Sequence, residues 1–115
     1  MTEKESLQVI VGRQLGSVEF VQDYVQLRFD GPCLTAFTHP TVEVQGRTLQ
    51  WKDPGYRDEL CNRIATKVCQ ADVIADDKAV VRFEDGSEIN ISLKKADYVG
   101  PEAVKFDHRE IWWVL

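Results

Sequence analysis

His39 and His108 are the only histidines in this chain, so acid–base chemistry near neutral pH would start from them. Cys33 precedes His39 by one short segment and pairs with it as a candidate nucleophile and base. An extended strand, however, would hold those two side chains about 20 Å apart, beyond hydrogen-bond reach. His108 sits in Phe106-Asp107-His108-Arg109-Glu110, a run that reads as a solvated loop. Neither histidine has a cysteine, histidine or carboxylate at a recognised ligand spacing, so no metal centre is expected. The acids Asp72, Asp76 and Asp77 lack the alternating spacing and closing glutamate of a calcium loop. The glycines form neither a dinucleotide-binding nor a phosphate-binding motif. These residues assign no catalytic group and no cofactor, and the chain reads more readily as a binding protein than as an enzyme.

Two other groups of residues suit recognition rather than reaction. Trp51-Lys52-Asp53-Pro54-Gly55-Tyr56-Arg57 gathers aromatic and basic side chains where a strand is expected to give way to a helix. With His39 nearby, His39, Trp51, Tyr56 and Arg57 form a candidate ligand pocket. Asp53 would compete with any anion for the first helical amides, because aspartate is a favoured N-cap and Pro54 suits the position after it. The second group is Asp76, Asp77, Trp112 and Trp113, a candidate interaction surface. Adjacent tryptophans in a strand must point to opposite faces, so at least one is expected outside the main core.

Charge narrows the partners. The net charge is −5, and residues 72–115 hold ten acids against six bases, whereas residues 1–71 hold nine against eight. Nucleic acid is disfavoured, since phosphate binding needs clustered lysine and arginine. A basic protein partner fits this balance. The paired tryptophans separately allow a homo-oligomer that meets through them. Met1–Ser6 is charged and the following apolar run is short, which predicts neither a signal peptide nor a membrane span and makes the cytoplasm the expected compartment.

The elements that must position these groups are mostly hairpins. Asp30-Gly31 predicts a two-residue turn that sets Leu27 opposite Leu34 and Val25 opposite Ala36. Glu84-Asp85-Gly86 predicts a three-residue loop setting Val81 opposite Ile89, Ala79 opposite Ile91 and Arg82 opposite Glu88. The two hairpins share one pattern, Leu27-Arg28-Phe29-Asp30-Gly31 and Val81-Arg82-Phe83-Glu84-Asp85-Gly86. A break or bulge is expected near Gln22, a short hairpin across Gln45-Gly46-Arg47, and strands at Leu7–Val11 and Ile111–Leu115. Tyr56, Leu60, Ile64 and Val68 recur at helical spacing and predict a helix over about 54–69, carrying Cys61 and Cys69. A short helical turn is expected near 101–106. Cys33, Cys61 and Cys69 are expected to be buried free thiols, since free cysteine packs like a small hydrophobe.

The expected class is therefore α+β: a mainly antiparallel sheet of about six to seven strands with one main helix packed on it. Residues 1–115 make one domain, its first six residues expected to be poorly ordered. The segments V-E-F-V-Q-D-Y-V-Q-L-R-F-D-G, P-G-Y-R-D, R-F-E-D-G-S and Y-V-G-P-E-A resemble small uncharacterised bacterial proteins of about this length. That resemblance implies no activity, cofactor or functional residue. The functional expectation is a non-enzymatic binding or protein-interaction domain, with immunity- or antitoxin-like neutralisation of a basic partner as one form. The alternatives are a small-molecule binder or enzyme with a pocket at the strand–helix junction, and a structural subunit of a homo-oligomer.

Overall fold

Alternation of apolar and polar residues dominates this chain, and a computed structural model describing residues 1–115 turns it into ten antiparallel strands. In chain order the elements are α1 (Glu3–Leu7), β1 (Ser17–Val21), β2 (Tyr24–Arg28), β3 (Cys33–Ala36), β4 (Thr41–Val44) and β5 (Arg47–Leu49). They continue with α2 (Tyr56–Cys61), β6 (Val68–Ile74), β7 (Lys78–Phe83), β8 (Glu88–Ser92), β9 (Val104–His108) and β10 (Ile111–Val114). The strands form two five-stranded sheets, ordered β1-β2-β3-β9-β10 and β5-β4-β8-β7-β6. Their inward side chains, including Leu27, Leu34, Phe106, Val81 and Ile89, join one buried cluster with Leu7 of α1 and Leu60 of α2. The mainly antiparallel α+β class holds, with more strands and less helix than expected.

Each half of the chain follows the same plan of helix, three-stranded meander and hairpin, and each hairpin crosses to complete the other half's sheet. Register proves the correspondence. Val18, Leu27, Leu34, Phe106 and Trp113 lie in one row across the first sheet. Ala71, Val81, Ile89, Val42 and Leu49 lie in the matching row of the second. The halves meet where Gln14 bridges Lys67. Around that bridge the backbone bonds come in matched sets: Gly12 N–H to Val68 O is 2.8 Å, as is Ala65 N–H to Leu15 O. Val68 N–H to Arg13 O (2.9 Å) likewise matches Leu15 N–H to Thr66 O (3.1 Å). Even the strained positions correspond, Gly12 at φ 86 and Ala65 at φ 73. The repeated hairpin words therefore belong to a pseudo-twofold molecule with exchanged hairpins.

The twin turns form in the expected registers. Asp30 (φ 56) and Gly31 (φ 120) close a two-residue turn with Leu27 opposite Leu34. In the other, Gly86 (φ 88) closes a three-residue loop with Val81 opposite Ile89 and Arg82 bonded to Glu88. An arginine from each half clamps its own turn. Arg13 donates to the Asp30 carbonyl at 2.9 Å, and the buried Arg63 pairs with Asp85 at 3.0 Å.

Four expectations for regular structure fail for local reasons. The helix predicted over 54–69 stops at Cys61 because left-handed Ala65 turns the chain to pair with Gly12–Leu15. Val68 then begins β6 in the core and Ile64 is left exposed. Asp53 does not cap α2; Gly55 occupies that position, and the Asp53 carboxylate accepts the Gln50 amide at 2.7 Å. Near 101–106 there is strand rather than a helical turn, since Val104 and Phe106 alternate into the core with Lys105 and Asp107 outward. Leu7–Val11 ends α1 and makes a 3₁₀ turn instead of a strand, with Thr2 capping α1. Cys33 is buried, but Cys61 and Cys69 are exposed because neither lies on a core-facing helical stripe.

Candidate functional site

The junction between β5 and α2 gathers the first group of candidate residues. Left-handed Lys52 (φ 74) and Gly55 (φ 83) fold Trp51–Tyr56 into a tight loop, which Asp53 closes by accepting the Gln50 amide. Trp51 is the pivot. His39, from the β3–β4 connection, stacks on it with ring centroids 4.3 Å apart and planes 3° from parallel. The Arg57 guanidinium lies 4.9 Å from the ring centroid of Trp51, within cation–π range. Tyr56 meets the indole edge-on at 6.0 Å.

These four residues have different roles. Tyr56 is buried and its hydroxyl donates to the Pro40 carbonyl, while burial pushes its pKa well above the usual phenol value. It fixes the β3–β4 connection against α2. Trp51 is half-buried, and His39 and Arg57 remain exposed at the rim. An open cleft of about 480 Å³ is lined by Trp51, Lys52, Gly55, Tyr56 and Arg57 with Asp53 and Asp58, and His39 is not part of its wall. Lysine, arginine and two aspartates give it mixed charge, with no excess suited to a strong anion. Partial burial lowers the His39 pKa and the nearby Lys52 charge lowers it further, so the neutral ring is favoured in the stack.

The second group does not form one surface element. Asp76 and Asp77 make the β6–β7 turn, where Asp76 is exposed and left-handed (φ 60) and Asp77 faces Lys94 at 3.9 Å. Trp112 and Trp113 lie on β10, an edge strand of the other sheet, and point to opposite faces as expected. Trp113 packs on Phe106 at 5.6 Å and its indole N–H donates to the Ser6 hydroxyl at 2.6 Å, tying β10 to α1. Trp112 is 65% exposed, and Ile111 and Val114 are exposed beside it. Sequence reading picked out Trp112 and missed these two neighbours. The available signal was the uncharged run Ile111-Trp112-Trp113-Val114-Leu115 at the end of a strand.

The matching edge, β5, provides an internal control. Register equates Arg47 with Ile111, Thr48 with Trp112 and Leu49 with Trp113. The inward residue is apolar in both strands. The other two are polar in β5 and apolar in β10.

The remaining titratable candidates stay apart. Cys33 lies on the central strand β3, where burial raises its pKa against the opposing effects of the Thr35 hydroxyl and Arg28. Cys33 and His39 do not meet as a pair, since the ring of His39 is stacked on Trp51. His108 ends β9 beside the Gly31 turn. No three His, Cys, Asp or Glu side chains converge in a way that would hold a metal ion. No helix is long and apolar enough to cross a membrane. No protein family, curated protein or solved structure matches this chain.

Proposed function

We propose that this chain is a non-enzymatic protein-interaction domain whose contact element is the edge strand β10. The observation that carries this reading is Trp112, a large aromatic side chain 65% exposed on an edge strand without charge. Exposed apolar edges invite pairing with another chain, and folded proteins usually protect them with charge or cover. The equivalent strand β5 has such protection in Arg47 and Thr48. Tryptophan is also among the residues most enriched at interaction hot spots. Neutralisation of a basic protein, as immunity and antitoxin proteins do, is the form of this reading that the net charge of −5 supports.

A photo-crosslinking residue placed at position 112 in the source cells tests this reading, with position 48 as the matched control. A discrete adduct from position 112 and none from position 48 is expected. Equal or absent labelling at the two positions would sink the reading.

A second reading rests on the cleft beside Trp51, where Arg57, Lys52 and the indole could receive a small polar or aromatic ligand. Saturable quenching of tryptophan fluorescence that disappears in Trp51→Phe and persists in Trp112→Phe would favour it over the first.

A further inference from the structure

β10 is an edge whose backbone and side chains are complementary to a second copy of itself. Leu115 and Val104 exchange both backbone bonds, N–H to O at 2.9 and 3.2 Å. Bonded pairs alternate in an antiparallel ladder, so Trp113 and Ile111 also point their backbone groups at β9, and those of Trp112 and Val114 point to the open edge. Any strand that joins this edge must bond to Trp112 and Val114.

Resting on the reading of β10 as the contact element, we infer that its partner is β10 of a second copy, paired antiparallel about a twofold axis at Trp113. In this register Trp112 faces Val114 of the second copy and exchanges its pair of backbone bonds with it. Ile111 faces Leu115, and Trp113 faces its own counterpart. Every facing pair is apolar, and facing residues lie on the same side of the sheet, as strand geometry requires. Moving the axis to Trp112 would place Glu110 opposite Val114 and lose that match. A shift to an odd register would set inward residues against outward ones.

Charge fits the same arrangement. Asp107 lies beside Trp112 and Lys105 beside Val114 on β9. Each row across the seam, Asp107–Trp112 continuing into Val114–Lys105 of the second copy, therefore ends in one acid and one base. Two such rows relate by the axis, so no like charges face each other along the seam. The interface is isologous, closes on itself and joins the two β10-containing sheets into one continuous sheet.

Area sets the strength. Trp112 is 65% exposed, with Ile111 and Val114 at 39% and 37%. An aromatic side chain offers about 150–250 Å², so the seam buries several hundred Å², well below the roughly 1,200 Å² of a stable complex. The dimer is therefore weak and concentration-dependent. Because each copy carries −5, added salt screens the repulsion between them and strengthens the pair, whereas it would weaken binding to a basic protein.

Sedimentation of the full chain from about 1 μM to about 500 μM, at low and moderate salt, tests the inference. The expected result is a reversible monomer–dimer equilibrium that tightens with salt, is lost in Trp112→Lys and is retained in Thr48→Lys. Hydrogen exchange at the two ends of this range should show the Trp112 and Val114 amides gaining protection with concentration, while Trp113, already bonded to β9, does not. A monomer throughout the range would overturn the inference, and so would a dimer that survives Trp112→Lys. A monomer whose position 112 still crosslinks to a different protein would reject self-pairing and leave β10 standing as the contact element. Circular dichroism of both variants confirms that they remain folded.

Discussion

Arg63 shows how one buried cation organises a turn. Its guanidinium is almost fully enclosed and bonds the Glu59 carbonyl at 3.1 Å and the Asp85 carboxylate at 3.0 Å. Truncation would leave Asp85 without its cation and open a gap behind the loop, so Arg63→Ala is expected to cost about 2 kcal/mol in chemical denaturation. Partial burial of Asp85 favours its protonated form, but bonds from the Ser87 hydroxyl and amide, together with Arg63, outweigh it and hold the pKa below the usual range. Folding thus favours the ionised carboxylate. Its contribution is present above the unfolded pKa of about 3.9 and is lost as the pH falls through the lower folded value. Asp85→Asn should flatten that acid limb by at most about 1 kcal/mol, since the side chain is half exposed. An unchanged limb would assign the pH dependence to other carboxylates. His39 makes the opposite kind of statement, because burial against its neighbours first, and the Lys52 charge second, favour its neutral form. NMR titration should place its midpoint below about 6.5, with Trp51→Ala moving it upward. A midpoint unaffected by Trp51→Ala would mean that the stack does not set the ring's proton affinity.

Ala65 and Gly12 hold equivalent places in the two halves, both left-handed, and they make the pseudo-symmetry testable at the level of a turn. Alanine in this conformation pays a steric penalty of about 1 kcal/mol that glycine avoids. Nothing lies within 4 Å of a Cβ built on Gly12, so space does not complicate the comparison. After glycine's greater unfolded-state entropy is taken into account, Ala65→Gly is expected to stabilise by up to about 0.5 kcal/mol, and the reverse change Gly12→Ala to destabilise by a similar amount. Equal shifts of the same sign in thermal melts would contradict the equivalence. The same position explains what sequence reading missed. Tyr56, Leu60, Ile64 and Val68 fit a helix, and nothing about an alanine announces a left-handed stop. The β-bulge between Val68 and Gln70 then disturbs the alternation that would have revealed β6. β9 was legible in Val104-Lys105-Phe106-Asp107 but hidden by Gly100-Pro101-Glu102, which resembles a helix start. The twin hairpins were legible to the residue because glycine and aspartate fix the turn, and the apolar faces fix the register. At the candidate pocket, sequence brought together Trp51, Tyr56 and Arg57 by adjacency, yet could not show Tyr56 turning inward to Pro40.

Hairpin exchange binds the two halves into one molecule. Neither meander has a complete sheet without the other half's hairpin, and α1 packs against β6 while α2 packs near β1 and β4. Cooperative unfolding should follow, since β4-β5 cannot leave the second sheet without exposing Val42 and Leu49 from the common core. The arrangement also makes the order of the halves along the chain nearly irrelevant. Glu3 and Leu115 line the same surface cleft, and Ser6 bonds Trp113, so a short glycine-serine linker can join the ends. Opening the chain between Lys52 and Asp53 cuts an exposed loop at the boundary between the halves. The resulting permutant keeps each meander attached to its own hairpin and preserves every strand pairing. It should fold in a single cooperative transition, within about 2 kcal/mol of the parent after allowance for the disturbed Trp51–Tyr56 loop. A second permutant opened between Thr38 and His39 severs a meander from its hairpin and cuts the connection that Tyr56 holds through Pro40. It should lose more stability than the first. If denaturant melts rank the two permutants the other way, the half-chain is not the structural unit, and the matched registers describe a shape the fold does not depend on.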